Sequence, residues 1–122
     1  MGKVADEIAK EELADSAFIF VKTEYRTERV DLGQIRYIEG MRDYLCIVLG
    51  HQRIMTLMSF DDILKLLPSS RFARVHRSFI VSLDKIRSIE KSRIRIEDAV
   101  IPISETYKDQ FLVLLKRNNH LL

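Results

Sequence analysis

The 122-residue sequence predicts a mainly β fold, an elongated antiparallel multi-sheet arrangement of about ten short strands with two helices. Short apolar runs rich in β-branched and aromatic residues are broken by glycines and polar turns. Five such runs occur within about forty residues, with no helical pattern between them, which indicates antiparallel pairing through short turns. Helical periodicity is confined to residues near 60–67 and near 105–116.

The first half of the chain predicts five strands from residue 17 onward. They are the runs AFIFVKT, ERVDL, IRYIEG, DYLCIVLG and RIMTLMS. DYLCIVL is apolar at successive positions, as a strand covered on both faces would be. It contains Cys46, the single cysteine, for which we expect a buried thiol rather than a reactive one. One cysteine excludes an internal disulfide and fits a reducing compartment.

A short amphipathic helix is predicted near residues 60–67. Ser59 can cap its first turn, and Pro68 stops the run. Its apolar face repeats at i, i+3, i+4 and i+7 and comprises Phe60, Ile63, Leu64 and Leu67.

The second half predicts five further strands, FARV, SFIVS, KIRSIE, RIRIE and AVIPI, although SFIVSLD also fits a single helical turn. Arg93 and Arg95 alternate with isoleucines, so both guanidinium groups should project from one exposed face. Ser104 can cap a C-terminal helix near 105–116. Residues 118–122 are expected to fray. The apolar side of that helix comprises Tyr107, Phe111, Leu114 and Leu115.

In the run RFARVHRSFIVSL at residues 71–83, every second position from residue 73 to residue 83 is apolar, and Arg77 alone interrupts this row. A buried arginine without a partner costs several kcal/mol, so the backbone should turn outward near His76, Arg77 and Ser78. Residues 71–95 hold eight Lys or Arg against two acidic residues, which makes this the most basic part of the chain.

Residues 1–16 are acidic and read as a linker, or as the start of a fragment cut from a longer chain. The rest of the chain is basic, which fits a polyanion partner, although solubility alone explains an excess of this size equally well. No apolar run reaches membrane-spanning length and no signal-peptide pattern is present, so a cytoplasmic protein is expected.

An enzyme is not favoured. His51, His76 and His120 lack the spacing of metal ligands with one another, with Cys46 or with carboxylates. The four glycines are scattered, so there is no phosphate-binding glycine loop. Ser78 lies near His76, but side chains two apart on a strand are only loosely aligned for nucleophile and base. We expect no catalytic residue, cofactor or metal.

Three polar turns are candidates for nucleic-acid contact. Arg77 can grip guanine O6 and N7, or a phosphate, with two hydrogen bonds. The turn at 40–44 exposes a cation, an anion and an aromatic ring. At 104–106, free N–H groups of a helix start could receive a phosphate. Each turn also has an ordinary structural interpretation. Arg77 could be a solvated or ion-paired surface arginine, residues 40–44 an ordinary hairpin tip, and residues 104–106 a simple helix cap.

Four segments follow one another in the chain: IRYIEGMRDYLCIVL, a capped helix ending in KLLP, FARVHRSFIVSLDKI and IPIS. With these segments in this order, the sequence resembles the LytTR family of bacterial DNA-binding domains over about residues 17–117. Members are usually output domains of two-component response regulators that control transcription. The resemblance implies loops in successive major grooves, bending of the duplex, and two copies on imperfect direct repeats in a promoter. The contacts that it implies are Arg42, Asp43 and Tyr44 in a first loop, His76, Arg77 and Ser78 in a second, and Ser104, Glu105 and Thr106 in a third.

Two positions depart from the family pattern. Asp43 can accept from cytosine N4 but repels phosphate. Glu105 stands where members often carry a basic residue, and Lys108, one helical turn from Ser104, is the candidate to replace that contact. The resemblance also implies that residues 1–16 follow a receiver domain, which would supply phosphorylation control and dimerisation on DNA.

Two other classes of function remain open. A protein-interaction module could use the basic face, or could pair strands 17–31 edge to edge. A single-stranded RNA binder needs several exposed aromatics on one platform, and Tyr44 is the only convincing one. We expect sequence-specific binding of double-stranded DNA.

Overall fold

The computed structural model describes residues 17–119. Within them the chain forms ten strands in three antiparallel sheets and two helices, which confirms the predicted fold class. The strands are β1 (Phe18–Lys22), β2 (Thr27–Asp31), β3 (Tyr37–Gly40), β4 (Leu45–Val48), β5 (Arg53–Thr56), β6 (Phe72–His76), β7 (Phe79–Ser82), β8 (Ser88–Glu90), β9 (Arg93–Ile96) and β10 (Ala99–Pro102). The helices are α1 (Phe60–Leu66) and α2 (Glu105–Asn119).

The largest sheet has five strands in the order β5-β4-β3-β7-β6. The hairpin β1-β2 forms a sheet of its own, and β8, β9 and β10 form a third with β9 in the middle. Every strand pair is antiparallel, and all but β3-β7 join strands that are consecutive in the chain.

The five-stranded sheet is apolar on both faces. Ile38 and Ile80 lie on the face that packs against β1, β2 and α1. Their chain neighbours Tyr37 and Val81 lie on the opposite face, which packs against β9, β10 and α2. Cys46 in β4 is fully buried, and this burial raises the pKa of its thiol. The predicted double coverage of DYLCIVL and the buried cysteine are therefore confirmed.

Helix α1 begins and ends as the sequence predicts. The Ser59 hydroxyl accepts a hydrogen bond from the Asp62 N–H at 3.1 Å, and Pro68 follows shortly after the last helical residue. Ile63 is completely buried, which directs the apolar side of the helix into the core.

Helix α2 starts where it is predicted to start but differs from the prediction in its cap and in its last residue. It starts after Ser104, but the Ser104 hydroxyl is buried without a hydrogen-bond partner, so the predicted side-chain cap is wrong. The reason is tertiary, because the Ser104 N–H donates to the Val75 carbonyl at 2.9 Å and fixes the residue against β6. The helix also continues to Asn119 rather than ending near residue 116, and the Asn118 side-chain amide donates to the Leu114 carbonyl at 2.9 Å.

The segment SFIVSLD contains both of the predicted conformations. Strand β7 ends at Ser82, and a 3-10 turn follows at Leu83–Lys85. In this turn Asp84 accepts from the Ser82 hydroxyl at 2.7 Å and from the Arg71 guanidinium at 2.8 Å. Burial alone would raise the pKa of Asp84, but these two partners and Lys85 outweigh it and lower the pKa. The ion pair between Arg71 and Asp84 therefore joins the two ends of the β6-β7 hairpin.

Neither helix in the described part of the chain has the length and apolar character that crossing a bilayer requires.

Candidate nucleic-acid interface

The second loop, residues 76–78, is the tip of the β6-β7 hairpin. The pairing register shifts between Arg74 and His76, and the chain reverses at Arg77 and Ser78. The His76 Nδ1 accepts from the Ser78 N–H at 3.0 Å, and the His76 ring meets Phe79 edge to face, with 5.7 Å between ring centroids. Arg77 is exposed, and its side chain has no hydrogen bond or ion pair among residues 17–119. The predicted outward turn is therefore confirmed.

The Arg74 side chain binds the backbone of this tip. Its Nε donates to the His76 carbonyl at 3.2 Å, and its Nη2 donates to the Arg77 carbonyl. The same guanidinium lies 4.1 Å from the centroid of the Phe60 ring in α1 and 5.5 Å from that of Tyr107 in α2. A single side chain thus ties the hairpin tip to both helices.

Arg74 is not identifiable as an interface residue from the sequence, where it is one of eight cations in residues 71–95. Its partners Phe60 and Tyr107 come from distant parts of the chain, and strand periodicity does not bring them together. An arginine on a strand with no acidic neighbour within two positions was the one available signal.

The first loop, residues 40–44, is the β3-β4 turn. The Met41 N–H donates to the Tyr44 carbonyl at 2.8 Å and closes the turn. Arg42 and Asp43 are exposed and have no hydrogen-bond or ion-pair partner within the described chain. Tyr44 is also exposed. All three predicted side chains of this loop are therefore presented to solvent.

The first and second loops lie side by side. The Gly40 N–H donates to the Ser78 carbonyl at 2.8 Å, which joins the two loops through their backbones. Residues 40–44, together with Arg77 and Ser78, line one open hollow, which Phe60 also lines. The fold therefore brings Arg42, Tyr44 and Arg77 to a common surface, although more than thirty residues separate the two loops in sequence.

Gly40 is required for this close approach. A Cβ atom built on it would lie 2.8 Å from Phe60 Cε2 and 3.1 Å from Phe60 Cζ. The Phe60 ring cannot easily move away, because the Arg74 guanidinium stacks on it. The contact between the two loops therefore depends on the absence of a side chain at this position.

Gly40→Ala is expected to lower the free energy of unfolding by about 1–3 kcal/mol, the usual cost of overpacking, as measured by urea unfolding. Gly50→Ala is the matched control. A Cβ atom there would lie 3.2 Å from Arg36 Nη2, a looser contact than the 2.8 Å at Gly40, so a smaller loss is expected. Equal losses in the two variants would contradict the proposed role of Gly40.

The third loop, residues 104–106, lies beside the same hairpin. It is held to β6 by the bond from Ser104 to Val75, and Tyr107 in the next position contacts Arg74. Glu105 and Thr106 are exposed and Lys108 is partly exposed, whereas the Ser104 hydroxyl does not reach solvent. At the start of α2 the Tyr107 N–H donates to the Ser104 carbonyl at 3.1 Å, whereas the Glu105 and Thr106 N–H groups have no partner among the described residues.

Comparisons with known proteins identify a family and a solved relative. The family model for the LytTr DNA-binding domain matches residues 25–116. A solved structure, the LytTr DNA-binding domain of a Bacillus cereus protein described as a methyl-accepting/DNA response regulator, is 25% identical in sequence with a TM-score of 0.70. The match covers 81% of this chain and 96% of that one. No curated protein sequence matches the chain significantly.

Proposed function

We infer that this chain, which belongs to the LytTR family of DNA-binding domains and so binds DNA as the output domain of a response regulator, recognises a specific duplex sequence through its three loops. The observation that carries the proposal is the state of Arg77. It is exposed and free of carboxylate partners within residues 17–119, and it stands on a turn whose carbonyls are fixed by Arg74. An unpaired guanidinium carried on a fixed backbone turn is suited to bidentate contact with guanine or phosphate.

His76 adds a second donor to the same tip. Its Nδ1 is occupied as an acceptor by the Ser78 N–H, so the ring carries its proton on Nε2. An Nε2–H group can donate to guanine O6 or N7, or to a phosphate oxygen. The second loop thus offers two donors to an electron-rich groove edge.

The first loop supplies a different mixture of groups. Arg42 can donate to a base or a phosphate, and the exposed ring of Tyr44 can pack against the sugar-phosphate backbone. Asp43 accepts hydrogen bonds only, which favours cytosine N4 and disfavours phosphate. We therefore assign Asp43 to base selection rather than to backbone contact.

The third loop contributes the free N–H groups at the start of α2, where the helix dipole favours a phosphate. Thr106 adds a hydroxyl, whereas Glu105 opposes an anion, and Lys108 lies one turn along the helix to offset it. The Ser104 hydroxyl is buried, so we assign no contact to that side chain.

In the full-length protein we propose that two copies occupy direct repeats in a promoter, with the loops in successive major grooves. A receiver domain would then supply phosphorylation control and dimerisation in the bacterial cytoplasm. These features are what membership of the family leads us to expect.

Selection from a pool of random duplexes in about 0.1 M salt tests the function. We expect one motif to be enriched, with affinity falling steeply as salt is raised, because phosphate contacts release counterions. A single-stranded pool is the control. Enrichment of no motif, or equal retention of single strands, would overturn the proposal.

One observation favours a second candidate, a protein-interaction module. Phe18 and Phe20 are 44% and 57% exposed on the outer side of β1, with ring centroids 5.5 Å apart. Exposed aromatic pairs of this kind suit protein contacts. The duplex selection separates the candidates, because an interaction module would enrich no DNA motif.

A further inference from the structure

We propose that the exposed face of the three-stranded sheet is a second phosphate-binding surface, which contacts the DNA backbone next to the site read by the loops. This surface, termed the β9 cation face, consists of Lys91, Arg93 and Arg95. The inference rests on the proposed function and adds to it a contact region outside the three loops.

The strand register places Arg93 and Arg95 on the outer side of the sheet, and Lys91 is exposed in the turn before them. Ile94 and Ile96 of β9 are buried against the core, so the alternating residues Arg93 and Arg95 point away from it and are exposed. Arg93 is flanked across the strands by Glu90 and Pro102, and Arg95 by Ser88 and Val100. The prediction that both guanidinium groups share one exposed face is therefore confirmed.

The three cations have no carboxylate partner within the described residues. Glu90 lies directly across from Arg93, yet the two form no ion pair. Arg29 and Arg36, by contrast, bind Asp31 and Glu97 at 3.0 and 3.1 Å respectively. The face therefore carries three cations against one anion, and its charge is not neutralised by the protein.

Spacing also suits a phosphate backbone. Arg93 and Arg95 are two residues apart on a strand, which separates their side chains by about 7 Å. This distance is comparable to the separation of successive phosphates along one DNA strand. Ser88, Glu90 and Lys91 line the same shallow hollow as the two arginines, and the Ser88 hydroxyl offers a further polar group.

The β9 cation face continues from the third loop. The Ile103 N–H donates to the Ser92 carbonyl at 2.9 Å, so the β8-β9 turn adjoins the residue that precedes Ser104. Glu105 leaves the third loop without the basic side chain that the family pattern leads us to expect. The cations of the β8-β9 hairpin lie beside that loop and can hold the phosphate strand that leaves it.

The backbone of the β8-β9 turn is a second, independent observation. Lys91 and Ser92 have φ values of 52° and 61°, so both occupy the left-handed region. A two-residue hairpin turn of this type favours Asn-Gly, and each ordinary residue there costs about 1–2 kcal/mol. The turn thus holds Lys91 in one defined backbone conformation, two residues before Arg93.

The test compares two double variants that each remove two exposed cations. Arg93→Gln/Arg95→Gln removes the arginines of the β9 cation face. Lys116→Gln/Arg117→Gln is the control, since both residues are exposed in the last turn of α2, about 17 Å along the helix from its start. Affinities are measured for the selected motif and for a scrambled duplex across a salt series, and phosphate ethylation interference maps the backbone contacts.

We expect the Arg93/Arg95 variant to bind both duplexes about tenfold or more weakly at 0.1 M salt, by the same factor for each. Its salt slope should fall by about 1.8, because each phosphate contact contributes about 0.9. Interference should disappear at one or two phosphates adjacent to the motif, while the control variant stays close to the parent protein.

The outcomes separate this inference from the proposed function. If the parent protein enriches a motif but the Arg93/Arg95 variant matches the control, the inference is wrong and the function stands; the face would then serve a partner other than DNA. If the parent protein binds no duplex, both are wrong.

Discussion

Arg77→Ala is expected to weaken binding to the selected duplex by about 1–3 kcal/mol, which corresponds to an increase of about fivefold to 150-fold in Kd. The loss should be smaller on a scrambled duplex, so that sequence preference flattens at one base position. The physical reason is that a bidentate arginine discriminates guanine from other bases, whereas a phosphate contact does not. Competition binding with a panel of single-base variants of the motif measures both effects.

The fold should be unaffected by this substitution. The Arg77 side chain contacts no other group by hydrogen bond or charge within residues 17–119, and only its main-chain carbonyl takes part in the support from Arg74. Thermal unfolding of the variant should therefore match that of the parent protein. A large drop in Tm would mean that the side chain has a structural role that the geometry does not indicate.

Two further variants make the Arg77 result specific. Arg77→Lys keeps the charge but loses the planar fork, so it should recover general affinity without recovering base preference. Arg117→Ala removes an exposed arginine from the end of α2 and should leave binding nearly unchanged. Equal weakening of Arg77→Ala on cognate and scrambled duplexes would reassign Arg77 to a phosphate.

The elements that sequence reasoning placed correctly are those set by local rules. The ten strands follow from alternation and turn residues, and the Ser59 cap joins residues three apart in the chain. The outward turn at Arg77 also follows locally, because an apolar strand cannot bury a lone guanidinium. Each of these depends on neighbours that are visible in a short window of sequence.

The features that sequence reasoning did not place depend on distant contacts. Ser104 has the composition of a helix cap, yet its N–H is claimed by Val75 and its hydroxyl is buried. Arg74 resembles any surface cation until Phe60 and Tyr107 are brought to it by the packing of both helices. The geometry of the candidate interface is thus a tertiary property, even though its exposed side chains could be identified beforehand.

Arg74→Ala is expected to lower the free energy of unfolding by about 2–4 kcal/mol. The variant loses two charge-assisted hydrogen bonds to the carbonyls of the hairpin tip and the stacking on Phe60 and Tyr107. Because the tip and both helices share this one side chain, DNA affinity should fall as well, after correction for the folded fraction. Urea unfolding and binding to the selected duplex provide the two measurements.

Arg29→Ala is the matched control for this prediction, because the Arg29 guanidinium also lies 4.1 Å from an aromatic centroid, that of Phe18, and has the Asp31 carboxylate as its hydrogen-bond partner where Arg74 has two carbonyls. Arg29 is exposed, so its interactions are screened by water and its loss should cost less than about 1 kcal/mol. The difference between the two variants isolates the contribution of the two carbonyl bonds and the covered environment of Arg74. Two outcomes would contradict the prediction: a loss of unfolding free energy in Arg74→Ala no larger than in Arg29→Ala, or full DNA affinity in Arg74→Ala. Either would show that the hairpin tip keeps its shape without the guanidinium, so that Arg74 does not make the second loop rigid.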